Sequence, residues 1–351
     1  MPVGIDTSTL SLRCPRCKAD LRKGQTGYDC AGCGEAYPVR GDVVRMVPSL
    51  TRVEEQTRQA FDFEHRRYRS AAYLRISPDL IQAWLADVQL PRDHFKGKTV
   101  LDVGCGSGRW TYAMASLGAK VVAVDVSDAA VEITRAVTSG LGEVTVIQAS
   151  VFQLPFRPEQ FDFVVSWGVL HHTCHTETAF RAIAPLVRPG GWLHVMVYER
   201  RNPIKVWGTE MLRKVMRRLS PERRYRWCGR LVIGNRLVFQ LVRGFIACVP
   251  SGDLTATLDA ETAQFGLYDW YSPRYNHLHR VAEVCGWFRN AGFEDLCVTS
   301  PIKYRRRLDV FRFGQCGGAI SLRGKRRAGG ASEGSAGIEE RRLADVVGAA
   351  V

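Results

Sequence analysis

At 351 residues, 46% of them hydrophobic and 24% charged, the chain has the composition of a globular protein with room for a core domain and an appendage. No uninterrupted apolar run reaches membrane-spanning length, and the start Met1-Pro2-Val3-Gly4 lacks the basic-then-apolar order of a signal peptide; the sequence therefore excludes a helical integral membrane protein and predicts a cytoplasmic location, free or peripheral at a membrane. The formal charge of +14 is concentrated, because 13 Lys/Arg face 2 Asp/Glu between Arg200 and Phe245, so the question of partners narrows to what that one segment touches.

Residues 1–50 hold Cys14-Pro15-Arg16-Cys17 and Cys30-Ala31-Gly32-Cys33, two CxxC pairs twelve residues apart, followed by short β-like pieces such as Val43–Val47. A CxxC turn makes two sulfurs converge, and two such turns supply the four thiolates of a tetrahedral Zn2+ site. Four thiolates leave no open coordination position, so the expected zinc is structural. The alternative is two redox-active or unliganded pairs. The segment resembles the small zinc ribbons at the front of some methyltransferases, a ribosomal-RNA guanine methyltransferase among them, and Tyr37-Pro38-Val39-Arg40-Gly41-Asp42 extends the likeness.

Residues 51–97 read as a helical linker or lid, with helical patterns from Glu54 to Tyr73 and from Pro78 to Asp87. Residues 98–200 alternate short apolar runs with helical stretches, the signature of a parallel α/β sheet. Thr99–Val103 is a buried strand that runs into Gly104-Cys105-Gly106-Ser107-Gly108, and a helix follows from about Trp110. Such a turn brings backbone close to a ligand. By itself it is a weak signal, since dinucleotide-binding proteins use a related one. The spacing separates the two cases: a dinucleotide fingerprint needs glycine at position 109, where this chain has Arg109, whereas Asp102-x-Gly104-x-Gly106-x-Gly108 resembles the class I S-adenosylmethionine (SAM)-dependent methyltransferases. The likeness runs from about residue 98 to residue 200.

That resemblance implies a Rossmann-like, seven-stranded, mostly parallel sheet with helices on both faces, carrying an N-terminal zinc ribbon and a helical cap insertion. It implies SAM contacts at Asp102, Gly104, Cys105, Gly106 and Gly108. The second strand, Lys120–Asp125, ends in an acid positioned to accept both ribose hydroxyl protons, with Val126 beside it. The third, Val144–Gln148, leads to Ala149-Ser150-Val151, where the family carries Gly-Asp-Ala. Ser150 then replaces the aspartate that hydrogen-bonds the adenine amino group; a hydroxyl still accepts that bond, without charge. The fourth strand, Phe161–Trp167, brings Ser166 to the site, and Val187-Arg188-Pro189-Gly190-Gly191 turns into the fifth.

Strand four ends in Ser166-Trp167-Gly168-Val169 and lacks the Asn/Asp-Pro-Pro-Tyr signature of nucleobase amino methylation. Oxygen, carbon and other nitrogen acceptors stay open. His171 and His172 follow on the ligand side and are candidate bases, against the alternative that they fill space under the cofactor. Residues 201–268 exceed what a plain crossing needs and are expected to form a basic helical cap over the site. Residues 269–314 return to the core, and their aromatic stretch from Asp269 to His277 resembles a recurring loop of small-molecule methyltransferases. Tyr271, Tyr275 and His277 are its candidate pocket residues, with Tyr271 and His277 also candidates for a catalytic role, the alternative being packing on the sheet. The tail 315–351, rich in Gly, Ala, Ser and Arg, is expected to be disordered, with a weak helix at Ile338–Val351.

The expected activity is methyl transfer from SAM to a small-molecule or membrane-associated acceptor: a natural product, a glycan precursor or a prenylated ring. An rRNA or tRNA methyltransferase is the alternative, and a non-catalytic SAM-fold scaffold acting through its ribbon is the second. For residues 200–245 three roles compete: a solvated cap face, a surface for anionic lipid or a lipid-linked substrate, and an RNA-binding surface.

Overall fold

The computed structural model describes residues 10–47, 50, 52–67, 76–77, 79–200, 203–241, 260–300 and 318–328. Residues 242–259 of the expected cap and the expected helix at Ile338–Val351 lie outside them.

Four short strands open the chain: β1 (Leu21–Lys23), β2 (Gly27–Cys30), β3 (Ala36–Arg40) and β4 (Val43–Arg45). Helices α1 (Arg52–Arg67) and α2 (Leu80–Val88) follow. The α/β alternation then appears as β5 (Thr99–Val103), α3 (Arg109–Ser116), β6 (Lys120–Asp125), α4 (Asp128–Val137), β7 (Val144–Gln148), β8 (Phe161–Trp167), α5 (Thr176–Ile183) and β9 (Val187–Tyr198). The cap contributes α6 (Pro203–Met216), α7 (Pro221–Leu241) and α8 (Ala260–Tyr271). The chain closes with α9 (Val281–Asn290), β10 (Phe293–Val298) and β11 (Ala319–Arg326).

Strands β5 and β8 are apolar on both sides because both faces of the sheet are covered. Alternate residues part company: Leu101 and Val103 of β5 and Val164 of β8 join α5 and α9 in one core, with Phe180, Ile183, Trp287 and Phe288. Val100, Phe163 and Val165 join α2 and α3 in the other, with Trp84, Trp110 and Met114. Trp84 is fully buried, its ring centroid 5.2 Å from that of Trp110 and 6.2 Å from that of Phe163.

The strands run β7-β6-β5-β8-β9-β11-β10, with β11 antiparallel to both β9 and β10. These seven are the expected sheet. Two features depart from expectation. The sheet does not stop at β7: β4 pairs with it in parallel, and β3, β2 and β1 continue outward, so the cysteine segment extends the sheet to eleven strands. And the expected disordered tail contains β11. Its Ile320 and Leu322 are buried, and all seven residues from Ala319 to Lys325 pair with β9. Gly, Lys and Arg around a short alternating core disguised it; long-range pairing to β9 overrides the local composition.

Candidate active site

A cavity of about 710 Å³ opens at the carboxyl ends of β5 to β9, where ligands of open α/β sheets bind. Its floor is the glycine turn. Gly104 and Gly106 have φ of +79° and +54°, a region that disfavours side chains. A Cβ on Gly104 would stand 2.2 Å from Val169 Cγ2, so backbone alone fits there. The N–H groups of Gly104 and Cys105 both donate to the Val124 carbonyl, at 2.7 and 3.0 Å, which ties the turn to β6.

Asp125 is fixed from two directions. Gly106 N donates to its Oδ2 at 3.0 Å and Ser127 N to its Oδ1 at 2.9 Å. Each oxygen keeps lone pairs for a further donor, which suits a vicinal diol. Val126, Ser150, Val151 and Phe152 continue the wall. Ser150 Oγ also accepts from Phe152 N at 3.3 Å, capping the turn that follows. A glycine cradle that side chains would fill, a pinned acid and an apolar wall next to it fit the adenosyl end of SAM.

Three of the expected cofactor residues stand behind this surface. Asp102 is 2% exposed and accepts from Thr111 Oγ1 at 2.6 Å, bracing β5 against α3. Burial is the main cause that raises its carboxyl to about 7. Ser166 is buried and donates to the Val103 carbonyl at 3.0 Å. Gly108 begins α3, where a Cβ would stand 2.8 Å from Val137 Cγ2. None of the three lines the cavity. Their role is to hold the turn that does.

On the opposite wall the candidate catalytic residues are placed differently. His171 is fully buried against the Tyr198 ring, with centroids 3.9 Å apart, and does not line the cavity. Tyr271 is 1% exposed in the core of the cap, on the last turn of α8, so the stretch expected as a loop starts as helix. His277 stacks on Tyr275 and also stands off the cavity. His172 and Tyr275 do line it. His172 Nδ1–H donates to the Tyr275 carbonyl at 3.0 Å, which leaves Nε2 as the lone-pair nitrogen. That nitrogen is buried, has no hydrogen-bond partner, and lies 3.7 Å from Asp269 Oδ1. Tyr198 Oη donates to Asp269 Oδ2 at 2.6 Å. Burial pushes the His172 imidazole below its ordinary value, against the opposing pull of Asp269, so it is neutral at neutral pH.

Several wall residues were not foreseen. Phe61, Glu64 and His65 come from α1, which closes over the glycine turn; a Cβ on Gly106 would stand 3.3 Å from His65 Cε1. Glu64 is buried, and that burial, with Asp269 nearby, raises its carboxyl well above the usual range. Phe265, Asp269 and Trp270 come from α8. The i, i+3, i+4 spacing of Phe61, Glu64 and His65 was readable, but not which element it faced.

The cysteine pairs converge as expected. The sulfurs of Cys14, Cys17, Cys30 and Cys33 lie within 4.8 Å of one another, among the described residues the one group that meets this distance. Cys14 and Cys33 are 3.7 Å apart, near the edge of about 3.8 Å that a tetrahedron of 2.3 Å Zn–S bonds requires. Gly32 N and Cys33 N point at Cys30 Sγ, at 3.3 and 3.4 Å, as donors suited to a thiolate. The donor set fits a closed zinc site.

The seven-strand order, the glycine turn after the first core strand and the acid closing the second define the class I SAM-dependent methyltransferase fold. Residues 100–191 match the family described as methyltransferase domain. Ubiquinone biosynthesis O-methyltransferases are among its curated relatives. The one from Stutzerimonas stutzeri is 37% identical over 110 residues, 30% of this chain and 47% of the relative. The one from Azotobacter vinelandii is 34% identical over 156 residues, 40% of this chain and 66% of the relative. The chain thus spans about half the length of the first curated relatives it matches. Among solved structures, a SAM-dependent methyltransferase from Mesorhizobium loti aligns with 70% of this chain and 98% of its own, at 16% identity and a TM-score of 0.42.

Proposed function

We propose that this protein transfers a methyl group from SAM to a hydroxyl oxygen of a small, largely apolar acceptor, such as a phenolic or enolic ring, free or attached to a lipid. The observation that carries the reading is the His172–Asp269–Tyr198 constellation, set in an aromatic wall across the cavity from the glycine turn. The names of the curated O-methyltransferases support it.

Gly104, Gly106, Asp125, Val126, Ser150 and Val151 would hold the methyl donor, which when bound supplies an electrophilic methyl on a sulfonium. The chain's own groups then act on the acceptor. Phe61, Trp270 and Tyr275 pack its ring and exclude water. The hydroxyl proton passes to His172 Nε2 as the oxygen–carbon bond forms and the carbon–sulfur bond breaks with its electron pair going to sulfur. Asp269, held by Tyr198, stabilises the imidazolium. General-base help of this kind contributes about 10²- to 10⁴-fold. The four clustered cysteines would hold, as thiolates, one structural Zn2+ outside this chemistry.

An apolar, walled cavity favours this acceptor over an RNA base, and a scaffold has no need of a pinned Asp125 facing a glycine cradle. Incubation with methyl-labelled SAM and fractionated cell extract tests the reading. Label is expected in an organic-soluble product that fragments as a methyl ether. Label confined to RNA or protein, or a carbon-bound methyl, overturns it.

A further inference from the structure

We propose that the outer faces of α6 and α7 dock this protein on an anionic lipid surface. Among the described residues, every exposed large hydrophobic side chain lies on these two helices: Trp207 (67% exposed), Met211, Val215, Trp227 and Ile233. Nothing in the reaction proposed above uses them. On α6, Trp207, Met211 and Val215 recur every four residues and form one stripe. The inner faces are different. Thr209, Arg213 and Met216 of α6, and Cys228 and Val232 of α7, are buried, and Met216, Cys228 and Val232 share a core with α8. The exposed stripes are therefore not faces awaiting the cap's own core.

The same faces carry the exposed cations. Lys214 falls within the α6 stripe and Arg218 on the turn that follows this helix, and Arg223, Arg226 and Arg230 surround Trp227 on α7. Arg230 sits 5.5 Å from the Trp227 ring. Of the two acids on these helices, Glu222 is exposed and Glu210 is paired with Arg213. Indole, thioether and branched aliphatic side chains interleaved with Lys and Arg match the two layers of a bilayer surface, apolar groups entering the acyl boundary and cations meeting the phosphates. An RNA partner would reward the cations and the indoles but not Met211, Val215 and Ile233. The placement also serves the cavity, because α8, packed against α7, presents Phe265, Asp269 and Trp270 to its wall.

The test is sedimentation of the full chain with phosphatidylcholine vesicles, with and without phosphatidylglycerol. Sedimentation is expected only with the anionic vesicles, with a blue shift of tryptophan emission. A double variant, Trp207→Ser with Trp227→Ser, and a charge variant, Lys214→Glu with Arg218→Glu, should each weaken it about tenfold or more. Both should bind SAM like the parent, which shows that they are folded and separates this outcome from failure of the proposed reaction. No sedimentation with anionic vesicles, or sedimentation that both variants retain, overturns the proposal. So does retention of RNA on a gel that both variants lose while vesicle binding is absent.

Discussion

Two aspartates near the glycine turn, Asp125 half-buried and Asp102 buried, do different work. Asp125 faces the cavity with both oxygens oriented by backbone N–H groups, and Asp102 faces the protein with a hydroxyl on one oxygen. Asp125→Ala should lower SAM affinity at least tenfold by calorimetry, with the fold intact. Asp102→Asn should bind SAM almost normally, because an amide oxygen still accepts from Thr111. It should also respond differently to pH. The Asp102 carboxyl, raised to about 7, keeps its proton in the folded state while the unfolded chain ionises it near 3.8, so the parent loses stability as pH rises between those two values. The melting temperature of Asp102→Asn relative to the parent should therefore rise as pH goes from about 4 to about 7 and level off above it. For His172 the sign is opposite. Its value lies below 6.5, so the neutral base persists into mild acid and the acid limb of the rate profile should fall below that pH. His172→Ala should cut kcat about 10²- to 10⁴-fold and abolish that limb. A variant that keeps both rate and limb would remove His172 from the chemistry.

At the scale of elements, α1 and the cap close the site, and each is held by a few polar contacts. Asp62 of α1 accepts from Ser127 Oγ at 2.9 Å and Ala129 N at 2.7 Å, reaching the first turn of α4 immediately beyond Asp125. Arg58 adds an ion pair with Asp128. Removing an N-terminal helix contact of this type costs about 1 kcal/mol. Asp62→Ala should loosen α1 and raise KM for SAM several-fold, with a smaller change in kcat; equal loss in both would mean that α1 acts in the chemical step. In the cap, Arg213 is 1% exposed and donates to the Trp270 and Pro273 carbonyls. It fixes the turn that carries Asp269 past His172. Arg213→Ala leaves buried carbonyls without donors, at about 1–3 kcal/mol each. Lower thermal stability and misplacement of Asp269 should appear together.

On the scale of the molecule, the ribbon and the methyltransferase sheet are one continuous structure, joined by Val43, Val44 and Arg45 along β7. Chelation should therefore do more than unfold a remote knob. It should release about one zinc per chain and lower the melting temperature of the whole protein, with the Cys30→Ser variant behaving like the stripped parent. A melting temperature indifferent to chelator would place the cysteine cluster outside metal chemistry.

The sequence alone determined what depends on local backbone demands and fixed spacing. The glycine turn, the acid closing β6, the CxxC pairs and the six core strands from β5 to β10 repeat short rules of covalent geometry and period, so they are legible without neighbours. Tertiary structure decided what depends on who stands opposite. It took β11 out of an apparently disordered tail, because pairing with β9 outweighs a Gly- and Arg-rich context. It withdrew Tyr271, His171 and His277 from the cavity and left His172, since only the packing of α8 against β9 brings Asp269 and Tyr198 together beside one imidazole. It also turned a charge excess between residues 200 and 245 into two oriented helix faces, because burial on α8 fixes which side of each helix meets solvent.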